Sequence, residues 1–496
     1  MDQQDHKDQL KSGQHDQNHS GGIDRRTVLK AAGAAGIMMA TNAFAAASRK
    51  RYAVVGVGSR ARMFTSAITG KYRDRNEIVA VCDTNPGRAA HAVRTLSATG
   101  ASTPKAYLAA DFDRMIRETK PQYVIVTTVD AHHDDYIVRA LDAGCDVITE
   151  KPMTTTAEKA QRILDAVKRS GRHIRVTFNY RYSPPRTQVK DLLMRGEIGD
   201  VMSVDFTWLL NTVHGADYFR RWHSNKANSG GLMVHKSTHH FDLVNWWLGA
   251  QPELVHAFGS RQFYTPATAK RMGLESHHER CLTCPEKNKC TFYFDLNADP
   301  GLKALYLDNE KHDGYFRDQC VWRPEINIED TMNVMVKYDN GVNLNYALSA
   351  YDAWEGYHIA FNGTKGRLEH SIVEQAGAAG ANQTQSKSER VTTRIIPLRG
   401  TPRDIEPWTG AGSHGGGDDV MLNEIFGDGP ADPYKRASDE RGGAYSILVG
   451  AAANKCFETG QSVRIADLVT GLTPPDRALM PDRLSPVPMP LRVKIP

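Results

Sequence analysis

The sequence predicts an α/β protein in which a doubly wound parallel sheet is followed by a C-terminal α+β domain with a large, open mixed or antiparallel sheet. Up to about residue 180, near-continuous apolar strands alternate with helical segments, a pattern typical of a parallel sheet covered on both faces. Farther on, apolar and polar residues alternate around the pair Asn340-Gly341, which indicates a hairpin. Because a chain of 496 residues exceeds one ordinary core, we expect domains over residues 48–180 and 181–468.

The overall composition excludes several classes of function. Hydrophobic residues make up 40% of the chain and charged residues 24%, values typical of a folded globular protein. A net charge of +5 without a long basic run argues against a nucleic-acid partner. After the first 47 residues, no stretch is apolar enough to cross a bilayer, so stable membrane insertion is not expected.

Residues 1–47 are predicted to be a twin-arginine export signal. A polar leader ends in DRRTVLK, from Asp24 to Lys30, and is followed by a weakly apolar run and by small residues up to Ala47. This order is typical of signals read by the twin-arginine export machinery, so we expect a periplasmic or otherwise exported protein. Asp24 and Val28 depart from the usual motif, and the alternative is a disordered tail with a chance arginine pair.

The first predicted strand leads into a glycine-rich turn. In RYAVVGVGSRA, a β-branched apolar run precedes the pattern Gly56-x-Gly58-x-x-Ala61. Gly56 permits a tight turn, Gly58 lets backbone N–H groups approach a pyrophosphate, and the small Ala61 lets the next helix pack closely. The positive end of that helix then faces the phosphates. The turn, which also contains Ser59 and Arg60, therefore predicts a dinucleotide site.

Polar residues follow the ends of the predicted parallel strands. The second strand, EIVAVCD, ends at Asp83, whose carboxylate can accept hydrogen bonds from a ribose diol and would repel a 2′-phosphate. NAD is therefore favoured over NADP, the alternative being that Asp83 only caps the next helix. Ligands of such sheets lie at the carboxyl ends of the strands, where the sequence also places Thr127, Thr128, Glu150, Lys151 and Asn179.

Several segments together match one enzyme family: the glycine-rich turn, Asp83, TTVDAHH from residue 127, EKP from residue 150 and NYRYSP from residue 179. Through them, residues 51–468 resemble the Gfo/Idh/MocA oxidoreductases. The resemblance implies an NAD(P)-dependent enzyme that acts on sugars or polyols, with an N-terminal Rossmann domain and a C-terminal α/β domain. It also adds Asp130 and His133 to the expected cofactor-binding residues.

A histidine-rich segment, GGLMVHKSTHHFD, covers Gly230 to Asp242. The family typically places an aspartate and a histidine here, beside the EKP lysine; in this chain His235 replaces the aspartate and His239 matches the histidine. A continuous helix would present His235, His239 and Asp242 on one face. We interpret His239 as the general acid/base, Lys151 as its partner, and His235 as tuning the pair or binding a substrate hydroxyl. The alternatives are zinc bound through the HxxxH spacing and histidines with purely structural hydrogen bonds.

A neighbouring segment has the side chains that recognise sugars. NTVHGADYFRRWHSNK offers Tyr218 and Trp222 as flat faces for a pyranose ring and Arg221 as a hydrogen-bond donor. An amphipathic surface segment is the alternative. We expect a carbohydrate substrate to be contacted by Tyr218, Arg221, Trp222, Arg181, Lys236 and Asp242.

Four of the seven cysteines lie in a loop-like stretch with the character of an insertion, at residues 262–325. Cys281, Cys284, Cys290 and Cys320 favour a structural zinc site. The alternatives are two disulfides, which suit an exported protein, and an Fe–S cluster.

Two further expectations concern the surface of the molecule. The large open sheet favours a homo-oligomer. Residues 469–496 form a Pro-rich tail, which is expected to lie extended on the surface.

Export constrains the reaction, because an exported enzyme has no NAD pool with which to exchange its cofactor. We therefore expect a tightly bound NAD that is restored within each cycle. The favoured function is hydride transfer with sugars, one being oxidised and another reduced, as in the exported glucose–fructose oxidoreductase branch of the family. The alternatives are a redox-neutral glycoside hydrolase that oxidises C3 and eliminates across C2, and a sugar-binding relative without turnover.

Overall fold

The computed structural model describes residues 49–275, 278–375, 390–410, 413–487 and 489. The export signal predicted over residues 1–47 lies outside these residues and stays a prediction. The described part of the chain is built on two sheets, of six and nine strands.

The first sheet is all-parallel, with the strand order β3-β2-β1-β4-β5-β6. The order reverses between β1 and β4, which opens a crevice at their carboxyl ends. The predicted doubly wound sheet is confirmed. Its strands are β1 (Lys50–Val55), β2 (Asn76–Asp83), β3 (Lys105–Leu108), β4 (Tyr123–Val126), β5 (Asp146–Thr149) and β6 (Ile174–Val176).

Helices with clear start and stop signals connect these strands. In the helix Ala157–Ser170, for example, the Thr156 side chain accepts a hydrogen bond from the Lys159 backbone N–H, and Gly171 ends the helix at a φ of 65°. Its apolar positions, such as Ile163, face the sheet and are buried. The helices are α1 (Ala61–Thr69), α2 (Pro86–Ser97), α3 (Phe112–Thr119), α4 (His133–Asp142) and α5 (Ala157–Ser170).

The second sheet is mixed, in the order β14-β13-β12-β11-β7-β10-β9-β8-β15. Only β7 and β10 pair in parallel among its described neighbours. The predicted open mixed sheet is confirmed. Its strands are β7 (Val201–Asn211), β8 (Pro252–Ser260), β9 (Thr331–Tyr338), β10 (Asn343–Asp352), β11 (Glu355–Gly363), β12 (Gly366–Gln375), β13 (Arg390–Pro397), β14 (Arg403–Ile405) and β15 (Val463–Arg464).

The Asn340-Gly341 turn joins β9 to β10 as an antiparallel hairpin in which Lys337 lies opposite Asn343. Gly341 has a φ of 84°, a conformation that favours glycine. The hairpin prediction is therefore confirmed.

Leu422 and Phe426 of the helix Gly417–Phe426 pack into the core of the first sheet, whereas several of the other remaining helices pack on the second sheet. Trp246 and Trp247 are almost completely buried there, and Gly450 of the last helix approaches Met233 so closely that an added Cβ would lie 2.4 Å from its carbonyl oxygen. The helices are α6 (Pro184–Met194), α7 (Thr212–Arg220), α8 (Lys226–Ser229), α9 (Gly231–His235), α10 (Thr238–Leu248), α11 (Pro266–Arg271), α12 (Pro300–Leu305), α13 (Gly417–Phe426) and α14 (Glu440–Thr459).

Short 3-10 segments complete the regular structure. They cover Ala109–Asp111, Asp130–His132, Asn179–Tyr182, Trp222–Ser224, Leu296–Ala298, Leu307–His312, Ser413–Gly416 and Ile465–Asp467. Among the described residues, no helix combines the length and apolar character needed for a membrane span.

The insertion and the tail are the least regular parts. Residues 261–330 join β8 to β9 and contain α11 and α12. Residues 469–487 form no helix or strand. In this tail Leu479 and Leu484 are exposed, whereas Ala478 is buried.

Candidate active site

A cavity of about 680 Å³ lies at the carboxyl ends of the parallel strands and is closed on its other side by residues of the second half. It brings together every residue predicted to bind the cofactor: Gly56, Gly58, Ser59, Arg60, Asp83, Thr127, Thr128, Asp130, His133, Glu150, Lys151 and Asn179. Of the remaining predicted site residues, it is lined by His235, His239, Tyr218, Arg221, Trp222 and Lys236.

The glycine-rich turn fits tightly against the end of β4. Gly56 has a φ of 82°, and a Cβ there would lie 2.6 Å from the Thr128 backbone nitrogen. The Thr127 hydroxyl donates to the Gly56 carbonyl oxygen over 2.6 Å. A side chain at Gly56 would therefore force the turn off the strand, so glycine is required for close approach as well as for the turn.

Asp83 ends β2 with its carboxylate already organised. It accepts hydrogen bonds from the backbone N–H groups of Val57 and Asn85, each over 2.8 Å, and Arg88 Nη2 lies 3.0 Å away. A fixed carboxylate at the second strand and a narrow glycine turn at the first fit the ribose and pyrophosphate of a dinucleotide. These residues would hold NAD, whose nicotinamide supplies hydride acceptance when bound.

Glu150 and His133 stabilise the loops around the cavity. Arg60 Nε lies 2.8 Å from a Glu150 carboxylate oxygen, to which Thr177 also donates over 3.0 Å. The His133 ring nitrogens contact the carbonyl oxygens of Pro152 and Thr128, at 2.8 and 3.2 Å. His133 therefore joins the loops after β4 and β5, which leaves it little capacity for direct cofactor binding.

Lys151 projects from the end of β5 toward the second half of the chain. Its ammonium nitrogen donates to the His235 carbonyl oxygen over 3.1 Å. Burial lowers the pKa of Lys151 to about 8; Lys236 and Arg60 add to this shift, and the carboxylates of Asp130 and Glu150 oppose it. A lysine with this pKa can take up and release protons near neutral pH.

Asp130 and His235 form a buried pair through a carboxylate oxygen and Nδ1. Burial raises the pKa of Asp130 well above its usual range, although Lys151 opposes this shift. Burial also lowers the pKa of His235, with Lys151 and Arg221 adding to the shift. Both shifts disfavour separated charges, so the pair shares one proton. Asp130 therefore orients an imidazole beside Lys151.

His239 lies deeper in the same cavity, stacked on Tyr180 with ring centroids 4.2 Å apart. Its buried Nδ1 has no hydrogen-bond partner among the described residues. Burial, followed by the charges of Lys151 and Lys236, lowers the pKa of His239 well below its usual range. The imidazole is therefore neutral at neutral pH.

Trp222, His223 and His235 line the substrate side of the cavity, which is the side formed by the second half of the chain. The Trp222 ring stacks on His223 at 3.6 Å, and His223 meets His235 edge-on at 4.2 Å. Lys236 lies 4.8 Å from the Trp208 ring centroid, a cation–π contact that helps to hold a buried ammonium.

Tyr218 differs from its prediction as a platform for a sugar ring. Its side chain is buried, and its ring stacks on His214 at 5.1 Å. The hydroxyl lies 3.0 Å from His214 Nε2, and His214 Nδ1 lies 2.7 Å from Glu355. The face of the tyrosine therefore packs on His214; Tyr218 and His214 line the cavity, whereas Glu355, which contacts His214, does not.

The predicted common helix face of His235, His239 and Asp242 is wrong. Helix α9 ends at His235 and α10 begins at Thr238, so the break separates His235 from His239 and Asp242, which both lie in α10. Asp242 instead forms a bidentate ion pair with Arg181, over 2.7 and 2.6 Å. Both are buried and neither lines the cavity. Their predicted contact with substrate is therefore corrected to a structural ion pair.

The four clustered cysteines line a second, small cavity apart from the active site. All seven cysteines carry free thiols, and the described residues contain no group of three or more His, Cys, Asp or Glu arranged to hold a metal. Burial raises the pKa of Cys320 to about 11 and also raises that of Cys281. The structure supports neither the zinc site nor the alternative disulfides.

Several cavity residues were not among the predicted site residues. His214 and His223 lie in the predicted sugar-binding segment, whose richness in histidine was the available signal. The Gly-rich sequence around His414, WTGAGSHGGGDD, predicts a loop that either closes on a ligand or only connects two elements, and His414 does line the cavity. No local signal marks Arg88, Tyr306, Asp313 and Tyr315, which tertiary structure brings to the cavity.

Comparison with known proteins agrees with this geometry. Residues 50–178 match the description "Oxidoreductase family, NAD-binding Rossmann fold", and residues 190–465 match "Oxidoreductase family, C-terminal alpha/beta domain". The fold and site thus define an NAD-binding oxidoreductase. The chain belongs to the Gfo/Idh/MocA family.

Individual relatives cover different shares of the chain. "Putative oxidoreductase YteT" of Bacillus subtilis is 38% identical over 410 residues, 81% of this chain and 94% of that protein. Inositol 2-dehydrogenase of Salmonella typhimurium is 28% identical over 222 residues, 42% of this chain and 57% of the relative. A solved structure of an aldose-aldose oxidoreductase from Caulobacter crescentus, complexed with glycerol, has a TM-score of 0.55 at 18% identity and covers 84% of this chain and 99% of its own. This last likeness shows the fold alone.

Proposed function

We propose that this enzyme oxidises a hydroxyl group of a sugar or sugar derivative, and that its NAD stays bound and is restored within each catalytic cycle. On the substrate side of the cavity, Arg221, Trp222 and His223 lie with Lys151. An indole ring and several hydrogen-bond donors suit a polyhydroxylated ring. The relative named for inositol supports a cyclic polyol or sugar.

In this proposal Lys151 takes the proton of the reacting hydroxyl. Its pKa of about 8 leaves a substantial neutral fraction near the operating pH, which is what a general base requires. His239, predicted as the main acid/base, has a pKa held well below the usual range and is the weaker proton acceptor. We therefore assign His239 to a hydrogen bond with the substrate oxygen, while the Asp130–His235 pair fixes the surroundings of Lys151.

The proposed cycle balances between two substrates. The first sugar loses two protons and two electrons and becomes a carbonyl compound, and a second carbonyl sugar gains them and becomes an alcohol. Lys151 returns to the second substrate the proton that it took from the first. Export through the twin-arginine machinery, which the leader predicts, favours such a closed cycle because it removes the protein from the cellular NAD pool.

A homo-oligomer is also part of the proposal. Phe258 and Met335 are 66% and 60% exposed on the outer face of β8 and β9. Large exposed apolar side chains on an open sheet favour contact with a second copy of the chain.

The observation that carries the proposal is that Lys151, His239 and the glycine-rich turn line one cavity. To test it, the purified protein is denatured and the released nucleotide identified. Native protein is then incubated with pairs of sugars and no added nucleotide. We expect stoichiometric NAD, and oxidation of one sugar only when a second carbonyl sugar is present. Protein that is purified empty and needs added NAD would contradict recycling.

A redox-neutral glycoside hydrolase is the second candidate, because the cavity holds a carboxylate–imidazole pair, Asp130–His235, in addition to Lys151 and His239. After oxidation at C3, such a base removes the acidified C2 proton, and the aglycone leaves C1 with its bonding electrons. Water then adds across the C1–C2 double bond and the C3 carbonyl is reduced again. Release of aglycone from aryl glycosides without added nucleotide, with solvent deuterium at C2, would favour this candidate over the two-sugar reaction.

A further inference from the structure

The cysteine-rich insertion extends to the nucleotide side of the active-site cavity. Tyr306, Asp313 and Tyr315 line that cavity together with Gly58 and Asp83. The segment lies more than two hundred residues after the glycine-rich turn, as the separation of 247 between Ser59 and Tyr306 shows. The second half of the chain therefore contributes to the wall of the cofactor site.

Tyr306 contacts the phosphate-binding turn itself. Its hydroxyl oxygen accepts a hydrogen bond from the Ser59 backbone N–H over 3.1 Å and lies 3.0 Å from Ser59 Oγ. A Cβ added at Gly58 would lie 3.3 Å from the same hydroxyl. Backbone N–H groups of such turns are the groups that bind pyrophosphate oxygens. The phenol is thus placed where it can donate its own proton to a phosphate.

A second set of contacts fixes the insertion beside the ribose end of the site. Asp313 lies 2.7 Å from Arg88, and Arg88 in turn lies 3.0 Å from Asp83. The Asn85 side chain donates to the Asn309 carbonyl oxygen over 2.9 Å. The Asp83 carboxylate is therefore covered by Arg88 and, beyond it, by Asp313 of the insertion.

The other end of the insertion is attached to the substrate side. Arg317 forms an ion pair with Asp217 of α7 over 2.7 Å. Arg323 donates to Ser224 over 3.0 Å. The insertion is therefore held by polar contacts on both sides of residues 313–317.

We propose that Tyr306 is a nucleotide-binding residue and that the segment 306–313 is a clasp that slows the release of NAD. The Tyr306 hydroxyl donates to a pyrophosphate oxygen, and the Arg88–Asp313 pair closes the ribose end above Asp83. The inference rests on the proposed NAD site and supplies a structural reason for a cofactor that is retained through the cycle.

The test is the rate at which the full-length protein releases NADH. Protein loaded with NADH is mixed with excess NAD, and the loss of bound NADH fluorescence is followed. Tyr306→Phe removes one hydrogen bond to a charged group, so release is expected to be about tenfold faster or more. Asp313→Asn is expected to accelerate release less. Tyr293→Phe, in the same insertion but beside the cysteine cavity, is the matched control and should release NADH at the wild-type rate.

The outcomes separate the clasp from the proposed function. If folded Tyr306→Phe and Asp313→Asn release NADH at the wild-type rate, the clasp is overturned even where the wild type is purified with NAD. If the wild type already releases NADH quickly but Tyr306→Phe is faster still, the assignment of Tyr306 stands and cofactor recycling fails. Circular dichroism and melting temperature establish that each variant is folded.

Discussion

Two sets of buried polar atoms in the active-site cavity differ in how they are satisfied: the carboxylates of the nucleotide side and two imidazoles of the substrate side. On the nucleotide side, Asp83 accepts two backbone hydrogen bonds and contacts Arg88, and Glu150 is paired with Arg60. On the substrate side, the buried Nδ1 atoms of both His223 and His239 have no partner among the described residues.

This difference separates binding from chemistry. Satisfied groups are held rigidly before any ligand arrives, which favours tight cofactor binding. An unsatisfied buried polar group costs about 1–3 kcal/mol, a cost that is recovered when a ligand supplies the missing partner. We therefore expect changes on the nucleotide side to affect affinity for NAD, and changes on the substrate side to affect turnover.

The largest effect is expected from Lys151→Met. Because a positioned general base contributes roughly 10²- to 10⁴-fold to a rate, sugar oxidation should fall by that factor. The amount of NAD in the purified protein should not change. Lys168→Met, the same replacement at an exposed position of α5, is the control. Retained turnover in Lys151→Met would remove the catalytic assignment and with it the division between the two sides.

A comparably large effect is expected at the Arg181–Asp242 ion pair. It should act on stability, with no specific effect on substrate binding. Asp242→Ala leaves Arg181 buried and unpaired, which should lower the free energy of unfolding by about 3–5 kcal/mol. The matched control is Asp142→Ala, which breaks an exposed bidentate pair with Arg169 and should cost less than about 1 kcal/mol. Urea denaturation measures both. Equal losses would show that the buried pair is not structural.

Asp83→Asn tests the nucleotide side. The amide keeps acceptor capacity for Val57 but loses the charge that holds a ribose diol, so NAD affinity should fall roughly 10- to 100-fold. The preference for NAD over NADP should narrow, because repulsion of a 2′-phosphate is removed. Calorimetric titration with each nucleotide measures this, with the exposed Asp113→Asn as control. Unchanged affinity would leave Asp83 as a helix-capping residue only.

The smallest expected change is with pH. The neutral amine of Lys151 is the proton acceptor and its pKa is about 8, so kcat/KM for oxidation should rise by up to about tenfold per pH unit below 8 and level off above it. The reduction half-reaction needs the ammonium form and should show the opposite slope. A flat profile for both directions would argue against Lys151 as the titrating group.

The sequence alone predicts the nucleotide side well, because its elements depend on local patterns. The apolar strands, Gly56 and Asp83 lie within one strand–turn–helix unit and the strand after it, where spacing fixes their relative positions. The position of Lys151 is predictable for the same reason, because the residue follows the end of β5.

The substrate side is harder to predict because its contacts are distant in the chain. No local pattern indicates that Asp242 pairs with Arg181, 61 residues away in the chain. The same is true of His214 and Glu355, which are 141 residues apart. Helical periodicity also fails to predict the relative positions of His235 and Asp242, because the helix is interrupted between α9 and α10. The cysteine spacing shows the same limit, since four nearby cysteines do not establish a metal geometry.

The most direct test of the central claim is a single-turnover absorbance experiment on purified protein without added nucleotide. Addition of an oxidisable sugar should raise the absorbance of reduced nicotinamide to a plateau that does not exceed the amount of bound NAD. Addition of a second carbonyl sugar should then return it to the starting value. Absence of any rise with a range of sugars, or a rise that continues only when free NAD is supplied, would contradict an enzyme that restores its own bound cofactor.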